Sequence, residues 1–188
     1  MKEIIQGAGI FAWPLLFCSI VAIFIICERL YASRKRAVLP PDLVDAILEG
    51  KPFSGGRGSV LGRVLEFSEM HRHDEAAVKA FARLEINRME RGFVFLEIII
   101  SVAPLLGLLG TVTGLLQVFA TLGTSGTAIP DPSQFTSGIA LALTTTVMGL
   151  AIAIPSVVGS GYLQRRVETY AAEIDSLLER IHARVNQP

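Results

Sequence analysis

Three runs without a charged residue, 4–27, 98–124 and 134–162, constrain this chain more than any other feature of it. Each exceeds the roughly 20 residues that an α-helix needs to span about 30 Å of hydrocarbon. In lipid every backbone N–H and C=O must be satisfied internally, so spanning segments are helices or closed barrels, and uninterrupted apolar runs of this length are helical. The expected fold is an all-α integral membrane protein with three transmembrane helices, two of them extended into the cytoplasm as long helices. Composition points the same way: 51% of the 188 residues are hydrophobic and mean hydropathy is +0.52, high for a soluble domain. The first run does not have the pattern of a cleaved signal peptide, because only Lys2 precedes it and ERLYASRKR, with no A-x-A site, follows it.

The formal net charge of zero hides an asymmetry. Of 17 Lys and Arg, 12 lie between Arg29 and Arg91, and four follow the third run, whereas GTSGTAIPDPSQF between the second and third runs has none. The positive-inside rule then places the middle region and the tail in the cytoplasm, with the N-terminus and the short linker outside. The resulting organisation is an N-terminal periplasmic end with the first membrane helix (1–27), a cytoplasmic helical region (28–97), a second membrane helix (98–124), a short periplasmic loop (125–133), a third membrane helix (134–162) and a cytoplasmic C-terminal helix (163–188). The membrane is most simply the bacterial inner membrane.

Within the cytoplasmic region, LPPDLVDAILEGK predicts a short helix with Asp42 as N-cap and Gly50 as stop. PFSGGRGS reads as a loop; it lacks the Gly-Lys-Ser/Thr of a phosphate-binding loop. Residues 59–71 are amphipathic, with Val60, Leu61, Val64, Leu65 and Phe67 on the buried side. From Asp74, an N-cap candidate followed by Glu75, a single helix is expected to run on to about Leu122, since Gly92 alone interrupts the pattern before the membrane run. His71 and His73 form an H-x-H pair with no further His or Cys nearby, which fits a solvated helix start better than a metal site. In the tail, Leu163, Val167, Tyr170, Ile174, Leu177, Ile181 and Val185 make a seam spaced for helix packing. That seam suits either a helix lying on its own cytoplasmic domain or one lining a self-assembled ring.

The second and third membrane helices carry faces of small residues. Gly107, Gly110 and Gly114 with Thr111 share one face of the second; Gly138, Ala142, Thr145 or Thr146, Gly149, Ala153 and Ser156 follow a three-to-four spacing in the third. Such faces let helix backbones approach closely where apolar burial drives nothing, against each other or against further copies. Pro104 and Pro155 each free a backbone carbonyl within these helices. Cys18 and Cys27, nine residues apart on one helix, are separated by about 13 Å along its axis, too far for a disulfide; both read as small packing residues.

At its middle the third span carries a band of hydroxyls. Thr144, Thr145 and Thr146 stand in succession, and consecutive positions turn through about 200° of a helix, so at least one must point away from the tightest contact. With Thr111 and Thr113 they offer a polar seam in a dry bundle, suited to water or a desolvating cation because hydroxyl oxygens are hard ligands. No Asp, Glu, His, Lys or Arg lies inside any span, although ion and proton paths usually use one. Either the chain moves no ions or a partner brings the acid. No nucleophile–base pair, metal constellation or phosphate loop suggests an enzyme, and no cofactor and no nucleic-acid partner are expected.

APLLGLLGTVTGL in the second helix, GIALALTTTVMGLAIAIPSVVGSGYLQRRVE in the third and ERLYASRKR after the first together resemble the ExbB/TolQ/MotA family of proton-channel subunits. Three spans match the ExbB and TolQ type; MotA-type subunits have four. The resemblance implies a homopentamer around the membrane helices of a two-copy, single-span partner like ExbD or TolR, whose transmembrane aspartate carries the proton, with a TonB-like protein as a further candidate partner. It implies no enzymatic activity, and an ion path that includes Thr111 and Thr146, with Thr145 beside them. Where ExbB and TolQ commonly have a glutamate, this chain has Leu141, so an acidic third-helix residue is not carried over, and Na⁺ suits a hydroxyl path as well as H⁺. The alternative from a different class is a non-conducting membrane scaffold assembled through its small-residue faces.

Overall fold

A computed structural model describes residues 9–50, 58–71, 74–124 and 132–185. After a 3₁₀ turn at Gly9–Phe11 come α1 (Ala12–Ala32), α2 (Lys35–Val38), α3 (Pro41–Glu49), α4 (Val60–Met70), α5 (Glu75–Met89), α6 (Phe93–Thr124) and α7 (Pro132–Val185). Among the described residues the regular structure is all helical. Three helical stretches are long and apolar enough to cross a membrane, namely Ala12–Ala32 and parts of Glu75–Ala120 and Gly138–Ala183. Pro104 and Pro155 sit inside α6 and α7 without ending them. The loop at 51–57, the linker at 125–131 and His73 of the histidine pair lie outside the described residues.

The chain divides into two compact units, one of residues 1–26 and 93–160, the other of residues 27–92 and 161–188. The first, the membrane unit, packs Leu15 and Ala22 of α1 with Leu96, Ile99 and Ala103 of α6, joined by Cys18, Leu106, Met148 and Ile152. Its outward surface is largely apolar: Phe17, Ile20, Phe24, Leu105, Leu116, Val147 and Ile154 are all exposed. In water such a surface would aggregate; in lipid it is the solvent-matched face. Cys18 packs as expected and Cys27 is exposed.

The second, polar unit has its own core, in which Leu39, Leu43, Ile47, Leu61, Val64, Val78 and Ala82 close around Tyr170, Ile174, Leu177 and Leu178 of α7. Ser59 caps α4 by accepting from Gly62 N–H at 3.0 Å, and Asp74 caps α5 by accepting from Ala77 N–H at 2.9 Å. Two local expectations differ from the structure. Asp42 is not the cap of α3: Pro40 occupies that position with Pro41 at the first helical turn, and Asp42 follows inside it, since a proline costs nothing where its missing N–H has no partner to lose. Nor is there one helix from Asp74 to Leu122: α5 stops at Met89 and α6 begins at Phe93, with Gly92 at φ 96°. That left-handed backbone is open to glycine and costly for other residues. Gly50, also left-handed at φ 74°, ends α3 as expected.

The tail seam of α7 faces inward. Leu163, Val167, Tyr170, Ile174 and Leu177 are buried, and Ile181 is partly so. The reading as a helix lying on its own domain holds for this face. Tyr170 adds a polar anchor, donating from Oη to Ser33 O at 3.1 Å and accepting from Arg166 Nε at 3.0 Å. Glu85 is 1% exposed, and its carboxylate accepts from Arg63 Nε at 2.8 Å and from Arg88 Nη1. A carboxylate is buried at tolerable cost only when neutralised in this way.

Candidate functional site

The face of small residues on α6 lies against that on α7, in antiparallel register. Five glycines set the spacing, and a hypothetical Cβ at each shows how little room remains. At Gly149 it would meet Ala103 O at 2.5 Å; at Gly107, Thr145 O at 2.7 Å and Thr146 Cα at 2.9 Å. At Gly110 it would meet Thr145 Oγ1 at 2.5 Å; at Gly114, Ala142 Cβ at 2.8 Å; at Gly138, Val118 Cγ2, closer still. For Gly107 and Gly149 the obstacle is backbone, which no rotamer change relieves. Ala142 and Ala153 are buried at 4% and 5% exposure. The seam is therefore an intramolecular contact of α6 with α7, close enough for one helix to hydrogen-bond the other's main chain.

Thr145 does so. It is 2% exposed, and its hydroxyl points between Gly107 O at 3.0 Å and Ala142 O at 2.7 Å, one hydrogen shared between two acceptors. The other hydroxyls turn back on their own helices. Thr111, 7% exposed, donates to Leu108 O at 2.7 Å; Thr113 to Leu109 O at 2.9 Å; Thr144 to Ala140 O at 2.9 Å; and Ser156 to Ile152 O at 2.7 Å. Thr146 differs from all of them. Its Oγ1 is buried and has no hydrogen-bond partner among the described residues. Leaving a buried hydroxyl unpaired costs about 1–3 kcal/mol, and such exceptions are few in folded proteins.

Of the three successive threonines, then, one is bound to its own helix, one ties the two helices together, and one keeps its donor free. Thr111, Thr145 and Thr146 belong to the same seam, but of these three Thr146 alone has a hydroxyl with no partner among the described residues. The side chain of Leu141, where the resemblance expects a glutamate, lies outside the described residues.

Sequence reasoning missed the Glu85–Arg63–Arg88 cluster, and also His182. This histidine is 7% exposed, with Nδ1 2.9 Å from Leu178 O and Nε2 buried without a partner. Its position next to the seam residue Ile181 was the one available signal. At the start of α5 the Lys79 ammonium, 2.6 Å from the Glu75 carboxylate, hydrogen-bonds it and holds it below the usual carboxylate range; Glu75 in turn raises Lys79.

Residues 68–176, more than half of the chain and including the whole seam, match the MotA/TolQ/ExbB proton channel family. Among curated proteins, the chain is 35% identical to a putative biopolymer transport protein, ExbB-like 1, of Synechocystis sp., over 98% of this chain and 80% of the relative. It is 25% identical to the biopolymer transport protein exbB1 of Vibrio cholerae, over 97% and 87%. A second Synechocystis protein, ExbB-like 3, is 27% identical over 94% of each. With three helices able to cross a membrane and a family match across the seam, this chain is a multi-pass membrane protein that belongs to the MotA/TolQ/ExbB proton channel family.

Proposed function

We propose that this chain is the ring subunit of an inner-membrane motor. In this reading it conducts protons together with a single-span, ExbD- or TolR-like partner and spends the proton motive force on TonB-type transport or a related envelope process. A homopentamer encloses two partner helices, the N-terminus is periplasmic and the C-terminus cytoplasmic. One observation carries the reading: Thr146 keeps a buried hydroxyl, unpaired among the described residues, in a seam between two apolar runs that contain no Asp, Glu, His, Lys or Arg. Such a hydroxyl is a ready donor to a carboxylate supplied from outside the chain, and hydrogen bonds to an ionised acceptor are about twice as strong as neutral ones. The division of labour follows from the chemistry. The ring contributes fixed hydroxyls, Thr146 first with Thr111 and Thr145 behind it, and the partner's aspartate contributes the titrating group. Gly107, Gly110, Gly114, Gly138, Ala142, Gly149 and Ala153 hold α6 and α7 in the register that presents them.

The test is ion flux into proteoliposomes containing the chain with and without its single-span partner. Proton flux that requires the partner and disappears on Asp→Asn in the partner's membrane helix supports the motor. An intact complex passing neither H⁺ nor Na⁺ supports the scaffold alternative, in which the threonines serve only as interhelical ties.

A further inference from the structure

Among the described residues, one side of α5 in the polar unit packs against nothing. On α5, Val78, Ala82 and Glu85 are buried, and the opposite side shows Ala76, Ala80, Arg83, Leu84 and Asn87, all exposed. A solvent-facing helix surface is normally charged and polar. This one has two alanines, a leucine that is 48% exposed and one cation, Arg83, with no ion pair among the described residues. Elsewhere on the same unit, α3 and α7 border a groove of about 580 Å³, lined by Leu48 and Leu177 and by Thr169, Ala172, Glu173 and Ser176 of α7. Glu173 likewise has no ion pair among the described residues.

We infer that the exposed face of α5 docks into the α3–α7 groove of the next copy of this chain, with Arg83 paired to Glu173. The inference rests on the ring reading above and specifies its contact. Register argues for it. Within one chain Val78 and Ala82 of α5 share a core with Ile174, Leu177 and Leu178 of α7, and the α7 charges felt by Glu75 (His182) and by Lys79 (Glu179 and Asp175) fall in antiparallel order. Rotation about a ring axis along the helices preserves height, so residues level within one chain are level between neighbours. That register sets Asn87 opposite Thr169, Leu84 opposite Ala172, Arg83 opposite Glu173 and Ala80 opposite Ser176. Leu84 meets the small Ala172, the cation meets the anion, the amide meets a hydroxyl, and Ala80 meets the small Ser176. The two surfaces differ from each other, so the contact is head-to-tail, the kind that closes into a ring.

The experiment uses the full chain in native membranes, with Cys18 and Cys27 replaced by serine and with Ala80→Cys and Ser176→Cys introduced together. Oxidation is expected to give a ladder of covalent multimers ending at the ring size, whereas either cysteine alone gives at most dimers. In parallel, Arg83→Glu or Glu173→Arg is expected to lower the oligomer fraction after detergent extraction several-fold, and the Arg83→Glu/Glu173→Arg double exchange to restore it. An oligomer of normal mass with no ladder and no response to charge reversal overturns this contact and leaves the ring standing. A chain that is monomeric in membranes before any substitution overturns the ring reading as well.

Discussion

Thr145 and Thr146 are neighbours with different work, and valine substitution separates them because it removes a hydroxyl at nearly constant volume. Thr145→Val loses the bond to Gly107 O, which for an interhelical bond in lipid is worth about 0.6 kcal/mol. A correspondingly small drop in resistance to denaturing detergent is the expected result, with flux retained. Thr146→Val loses no side-chain bond among the described residues, so stability is unchanged or slightly raised. The band of three hydroxyls was legible in the sequence, and so was the necessity that they diverge. Which of them kept a free donor was not, because that depends on how close Gly107 lets the two backbones come. On the polar surface, the Glu75–Lys79 pair sets a small pH dependence. Its Glu75 part is present above the unfolded carboxyl value and fades as pH falls through the lowered folded one. Lys79→Met is expected to move the Glu75 carboxyl back up, read by its NMR titration.

At the scale of elements, glycine spacing decides the pairing of α6 with α7. Gly107→Ala places a methyl against the backbone of Thr145 and Thr146, and overpacking of this kind costs about 1–3 kcal/mol. Gly161→Ala, with nothing within 4 Å of its Cβ, is expected to be silent; thermal unfolding in detergent compares the two. The small-residue pattern was readable because close approach leaves only glycine and alanine as options, but it did not say which helix would be met. The Gly92 break was missed for the opposite reason: one glycine in a helical pattern is usually tolerated, and only its positive φ makes it a boundary. Glu85 was missed because its burial comes from Arg63 in another helix. Glu85→Met, which removes the buried charge and frees both arginines to water, is expected to be mild. Joint Arg63→Met and Arg88→Met, which leaves the carboxylate buried alone, is expected to cost about 3–5 kcal/mol in chemical denaturation.

On the proposed reading, the whole molecule is an incomplete machine in a specific sense. Its three helices long and apolar enough to cross a membrane carry a band of threonine hydroxyls, and its charges lie outside the apolar runs. That division was visible from the charge-free runs alone. What held the polar unit together was less so, because Tyr170 and Leu178 act through contacts with residues more than a hundred positions earlier in the chain. The central claim is that a free hydroxyl at Thr146 serves an ion path completed by another protein's carboxylate. The most direct measurement is proton flux into liposomes containing the chain with its single-span partner, comparing wild type, Thr146→Ser, Thr146→Val and Thr145→Val. The account predicts that serine keeps the flux and Thr145→Val largely keeps it. Thr146→Val should lower it about tenfold or more, the effect of raising a barrier by ~1.4 kcal/mol. Undiminished flux through an assembled Thr146→Val complex would contradict it.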